Sequence, residues 1–150
     1  MTRRLRFLTA DQIIAMHDAL LEEFGGLGGG GPRGESYEGV DAAVQAVRNS
    51  YYETLEELAA AYAVYLVQGH VFLDGNKRAG AAAMLTFLTA NGVSIRIAPE
   101  ELASMMIDLQ RRSEAGEDAS RLIAGVAATL ATRRARSPRP SPSSRRVRPK

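Results

Sequence analysis

The 150-residue chain has no cysteine and no tryptophan. Without thiols, disulfide staples and thiolate metal sites are excluded, which fits a reducing compartment. No apolar stretch is long enough to span a bilayer. The basic start MTRRLRFLTADQ is not followed by the apolar core of a secretion signal, because Asp11 and Gln12 interrupt it. The chain is therefore expected to be soluble and cytoplasmic, and its length suits one domain with a modest core.

Carboxylates are missing from one end. Residues 133–150 (RRARSPRPSPSSRRVRPK) carry seven arginines, one lysine and four of the six prolines, with no acid. The remainder holds 11 basic and 17 acidic residues, so a net of −6 lies behind the overall +2. After Ala135 the segment has Val147 as its one aliphatic residue, too little to offset the entropy of ordering it. It reads as a disordered basic tail following a single domain over residues 1–132. Such a tail either solvates the chain, which is the plainer reading, or offers a contact to nucleic acid or an acidic partner.

The body is 45% apolar over the whole chain, ordinary for a globular protein, and its patterning is helical. Thr9 and Gln12 have the spacing of a capping box, after which Ile13, His17, Leu20, Leu21 and Phe24 repeat on one face. Here His17 reads as a helix-face residue. Gly25 and Gly26 stop this helix and open a glycine-rich loop over 25–34. A second helix is expected from about Asp41 to Asn49, with Val44 and Val47 inward. Thr54 and Glu57 form another capping box, and Leu58, Tyr62, Tyr65 and Leu66 share a stripe, which predicts a core-facing helix over 54–69. Residues 77–90 (KRAGAAAMLTFLTA) predict a helix closed by Asn91-Gly92. Its alanines and Gly80 permit close approach, which places it at the centre of the fold. Val93, Ile95 and Ile97 alternate with Ser94 and Arg96 as a short extended segment. Pro99, Glu100 and Glu101 open a helix with Leu102, Met105, Met106 and Leu109 on one side, and a last helix covers 119–132. The class is all-α: a bundle of six helices around a buried central one, with at most one short β-hairpin.

Between the two alanine-rich helices lies HVFLDGNKR (70–78), polar chemistry set between segments patterned for burial. The first helix ends at Gly69, the second begins near Asn76, and Asp74-Gly75-Asn76 suits a tight turn with Gly75 left-handed. The amides of Gly75, Asn76, Lys77 and Arg78 then face outward from a helix N-terminus, an arrangement that binds anions and phosphates above all. Lys77 and Arg78 put two cations where they oppose the helix dipole, and an anion between them reverses that penalty. Asp74 is a hard oxygen ligand beside such a site and suits Mg²⁺. His70 is placed to accept a proton from an attacking hydroxyl, and Phe72 to anchor the loop in the core. Singly, each residue has an ordinary explanation as a turn, a cap or solvated charge. Their conjunction in one turn points to phosphate chemistry.

The stretch resembles the signature of the Fic/Doc superfamily, His-x-Phe-x-(Asp/Glu)-Gly-Asn-(Gly/Lys)-Arg, met here by His70, Phe72, Asp74, Gly75, Asn76, Lys77 and Arg78. Residues 7–26 resemble the N-terminal helix of Doc-type (death-on-curing) toxins of type II toxin-antitoxin systems, and residues 54–92 their central helix pair. The resemblance covers roughly 6–110 and implies the all-α Fic/Doc fold and an enzyme that uses ATP with Mg²⁺. Fic proteins usually transfer AMP to a target hydroxyl, with glycine at the position of Lys77 and arginine at that of Ala81. Both departures are the Doc pattern, which implies a kinase that passes the γ-phosphate to a threonine of elongation factor Tu and blocks translation. By the same resemblance His70 deprotonates the threonine and Asp74 holds Mg²⁺ or orients the hydroxyl. Gly75, Asn76, Lys77 and Arg78 cradle the phosphates and stabilise charge in transfer. The glycine-rich loop 25–34 is expected near the groove that receives the target. The family's self-inhibiting helix carries Ser/Thr-x-x-x-Glu-(Gly/Asn); the nearest match, Ser113 to Asp118, fails at its last position, so control by a separate Phd-like antitoxin is expected. The alternatives are a Fic-type AMP transferase and an inactive binding module of the same fold, attached to nucleic acid through 133–150. No membrane partner is expected.

Overall fold

The computed structural model describes residues 4–24, 33–72 and 75–135. They form six helices: α1 (Ala10–Phe24), α2 (Arg33–Arg48), α3 (Leu55–Gly69), α4 (Asn76–Ala90), α5 (Pro99–Glu114) and α6 (Ala119–Thr132). Among the described residues the β structure amounts to one antiparallel bridge, Ile95 to Arg134. No helix among them is long and apolar enough to cross a membrane.

Local devices fix where the helices start. Thr9 N–H donates to Gln12 Oε1 at 2.8 Å while Gln12 N–H donates to Thr9 Oγ1 at 3.2 Å, closing the first box. Thr54 and Glu57 do the same for α3, at 3.2 and 3.1 Å. Pro99 occupies the first turn of α5, where its missing N–H has no intrahelical partner to lose. The second helix starts earlier than its pattern suggested, at Arg33 rather than near Asp41. Val40, Ala43, Val44 and Val47 make a buried face on it, and that packing outweighs the poor helix propensity of Gly34 and Gly39. Residues 25–32 of the glycine-rich loop lie outside the described residues.

The helix at the centre is α3, not α4. Leu58 to Val64, Leu66 and Val67 are all buried, and α3 packs against α2, α4, α5 and α6. Both helices are rich in alanine, so small size alone does not say which is interior. The deciding feature is that α3 is apolar on all sides between Leu58 and Val67, whereas α4 carries Arg78, Thr86 and Thr89 outward and buries one face through Ala79, Gly80, Ala83, Met84, Phe87 and Leu88. The close approach expected of Gly80 is present: a Cβ there would lie 3.2 Å from Met106 Cε and 3.4 Å from the Ala63 carbonyl oxygen.

The extended segment after α4 finds its partner beyond α6. Arg96 N–H donates to the Arg133 carbonyl at 2.7 Å, and Ala135 N–H to the Ser94 carbonyl at 2.8 Å. Arg133 Nε donates to Glu101 Oε1 at 3.0 Å, and Arg134 pairs with Glu56 at 3.0 Å. By composition Arg133, Arg134 and Ala135 belong to the tail, yet all three bond to the folded body. The two arginines meet carboxylates of α5 and α3. The rest of the tail, 136–150, lies outside the described residues.

Candidate active site

The loop between α3 and α4 begins under strain. α3 ends at Gly69, and its C-cap, His70, has φ 46° and ψ 48°, with its N–H donating to the Val67 carbonyl at 3.3 Å. Helices commonly end on a left-handed glycine. Here the glycine stands one residue too early, and a histidine takes the left-handed position at a cost of about 1–2 kcal/mol. His70 is the one non-glycine residue with positive φ among the described residues, and it is exposed. Strain of this kind concentrates where a particular side chain must occupy a particular place.

Two side chains then dock the loop on the body. Val71 fits a notch made by two glycines: a Cβ on Gly39 of α2 would lie 3.0 Å from Val71 Cγ1, and one on Gly69 would lie 3.1 Å from it. Phe72 is 4% exposed and lies flat on His17 of α1, with ring centroids 3.6 Å apart and planes 4° apart. The partner was missed in the sequence: His17 is not an ordinary helix-face residue but 1% exposed, under the signature loop. The available signal was a titratable ring inside the apolar stripe Ile13, Leu20, Leu21, where a buried polar group requires a reason.

Gly75 and Asn76 close the turn. Gly75 is the N-cap of α4 with φ 83° and ψ 18°, and both its conformation and its surroundings require glycine. A Cβ there would lie 3.1 Å from His17 Nε2 and 3.3 Å from His17 Cδ2. Asn76 does not cap the helix with its side chain. It clasps the loop instead, accepting from Phe72 N–H at 3.0 Å through Oδ1 and donating to the Phe72 carbonyl at 2.9 Å through Nδ2. Ala79 N–H donates to the Gly75 carbonyl at 2.9 Å. The amides of Asn76 and Lys77 precede that bond, with no carbonyl of the helix to bind, and the dipole makes this end electropositive.

The two cations diverge. Lys77 is half-buried, and its Nζ donates to Gln110 Oε1 on α5 at 2.7 Å; Gln110 Nε2 donates onward to Glu114 Oε2 at 3.0 Å. Arg78 is exposed. Asp74, the expected Mg²⁺ ligand, lies outside the described residues. Among the described residues no three histidine or carboxylate side chains gather as a metal cluster. The loop thus joins His70 at the end of α3 to Gly75, Asn76, Lys77 and Arg78 at the start of α4, with the Asn76–Phe72 clasp between them.

Other features lie apart from this corner. A hollow of about 530 Å³ lined by Arg4, Arg6, Thr89, Ala90, Asn91 and Gly92 sits at the opposite end of α4, roughly 20 Å away at 1.5 Å per residue. Among the described residues its lining holds arginines but no imidazole or carboxylate for proton transfer. Glu117, in the stretch nearest to a self-inhibiting motif, is bound by Arg112 at the α5–α6 turn. That hydrogen bond holds its carboxyl below the ordinary range.

The family model described as Fic/DOC matches residues 7–88, which include the whole of 70–78. The chain is also 38% identical over 98 residues to the protein named Protein kinase doc of Escherichia phage P1, an alignment covering 64% of this chain and 76% of that protein.

Proposed function

The chain belongs to the Fic/Doc family, and on that premise we propose that it is a Doc-like toxin of a type II toxin-antitoxin system, a kinase that transfers the γ-phosphate of ATP to a threonine of elongation factor Tu and so stops translation in the cytoplasm. The likeness to a protein named as a kinase supports this reading. The observation that carries it is the lysine at the start of α4. Lys77 stands where adenylyl transferases of the family have glycine, and its ammonium is held at 2.7 Å by Gln110 beside the phosphate-binding end of the helix. A fixed charge there favours a nucleotide pose that presents the terminal phosphate.

In this reading His70 takes the proton of the threonine hydroxyl. The threonine oxygen bonds to the γ-phosphorus, the bond to the bridging oxygen breaks, and ADP leaves with that electron pair. The amides of Gly75, Asn76, Lys77 and Arg78 hold phosphate oxygens, and the side chains of Lys77 and Arg78 offset charge that develops in transfer. Asp74 is the residue that would hold Mg²⁺, which when bound neutralises phosphate charge. A separate Phd-like antitoxin is the proposed partner in control.

The test is transfer from ATP labelled at either the γ- or the α-phosphate, with Mg²⁺ and purified elongation factor Tu. The expected result is label from the γ position alone, on threonine, lost in His70→Ala. Retention of the α label would identify AMP transfer instead, and full activity of His70→Ala would remove the imidazole from the mechanism.

A further inference from the structure

We propose that His17 is the positioning residue of the reacting loop, the surface on which both of its ends are set. The inference rests on reading 70–78 as the reacting site. One face of the buried imidazole carries Phe72, at 3.6 Å and 4° between planes, two residues from His70. The edge of the same ring faces Gly75, where an added Cβ would lie 3.1 Å from Nε2. The ring therefore sets the plane of Phe72 and the depth of Gly75 together, and the Asn76 clasp on the Phe72 backbone ties the two placements into one unit. The base candidate and the phosphate-binding turn are held in mutual register by a side chain that touches neither substrate.

The residue type fits that task and no simpler one. If this position on α1 merely filled core, an aliphatic side chain would suit its neighbours Ile13 and Ile14, both buried. A branched side chain is too thick to let Phe72 lie at stacking distance. A phenyl ring is one atom larger, toward a glycine already at the limit of approach, and two phenyl rings prefer offset or edge-on contact to a flat stack. Imidazole is both flat and small. On α1 itself, Asp18 Oδ1 lies 3.9 Å from Nδ1 at the other edge of the ring.

The experiment compares wild type, His17→Leu and His17→Gln in the full chain. Four quantities are read: thermal unfolding, hydrogen exchange of the amides of 70–77, Mg·ATP affinity by calorimetry, and steady-state transfer. A core-filling role makes leucine the better substitute in every readout. A positioning role inverts the order: His17→Leu matches or exceeds His17→Gln in unfolding temperature, yet has turnover lower by about tenfold or more. It also exchanges faster across 70–77 while the α3 core is unchanged, and glutamine, with a flat amide of similar reach, restores part of both. Activity that simply follows stability, or an unaltered loop in His17→Leu, overturns the proposal. If the wild-type protein transfers neither phosphate nor AMP, the kinase reading fails, and loop exchange with Mg·ATP affinity decides this inference by itself. Should His17→Leu not fold, His17→Met takes its place in the same comparison.

Discussion

Gly75→Ala places a methyl group in a turn that has neither the backbone angle nor the space for it. At φ 83° an L-residue loses about 1–2 kcal/mol relative to its preferred conformations. The new Cβ lies 3.1 Å from Nε2 of His17, a ring that is 1% exposed and stacked on Phe72, so the ring has little room to yield. Overpacking of this kind costs about 1–3 kcal/mol. Alanine restricts the unfolded chain and recovers about 0.4–1 kcal/mol. The net expectation is a loss of about 1–5 kcal/mol, concentrated in the loop. Urea unfolding measures the global part and an Mg·ATP titration the local part. Gly75→Asn separates the two causes, because asparagine tolerates the left-handed region and should recover about 1 kcal/mol of the backbone term while keeping the crowded Cβ. Wild-type stability together with wild-type nucleotide affinity in Gly75→Ala would refute the reasoning about this turn.

Four other outcomes are expected. His70→Gly abolishes transfer yet keeps stability within about 1 kcal/mol of wild type, since glycine relieves the left-handed strain while adding unfolded-state entropy; thermal unfolding beside the transfer assay shows whether the two separate. Gln110→Leu removes the acceptor that holds Lys77 and lowers kcat/KM for ATP by about tenfold or less, and unaltered kinetics would mean that α5 does not set the lysine. Tyr62→Phe leaves the buried Leu8 N–H without the hydroxyl that accepts from it at 2.9 Å, and urea unfolding should register a loss of about 1–3 kcal/mol. The carboxyls of Glu57, Glu101 and Glu117 are held below their ordinary 4.5, first by hydrogen bonds from the Thr54 backbone, Arg133 and Arg112 respectively. On acidification the unfolded chain takes up protons first, so their stabilisation is complete above 4.5 and declines as the pH falls through the lowered values; a urea midpoint that stays constant there would contradict this.

What could be read from the sequence was what depends on neighbours in the chain. The Thr9–Gln12 and Thr54–Glu57 boxes, the proline start of α5 and the left-handed Gly75 are local, and each is where its spacing put it. The residues of 70–78 were legible for the same reason, since the motif is contiguous. Contacts between distant segments were not legible. Nothing adjacent to His17 announces Phe72, and nothing near Lys77 announces Gln110 on α5, 33 positions away. Alanine content points to α4 as readily as to α3, and the central place of α3 follows instead from its apolar residues on all sides between Leu58 and Val67. Arg133 and Arg134 looked like solvated charge because Glu101 and Glu56 reach them only after folding.

The most direct measurement is an amide-resolved NMR titration of the ¹⁵N-labelled protein with Mg·ATP. The account predicts that the largest shifts fall on His70 and on Gly75 to Arg78, while amides lining the Arg4–Gly92 hollow at the other end of α4 hold still. Shifts centred on that hollow, or none at saturating nucleotide, would contradict it.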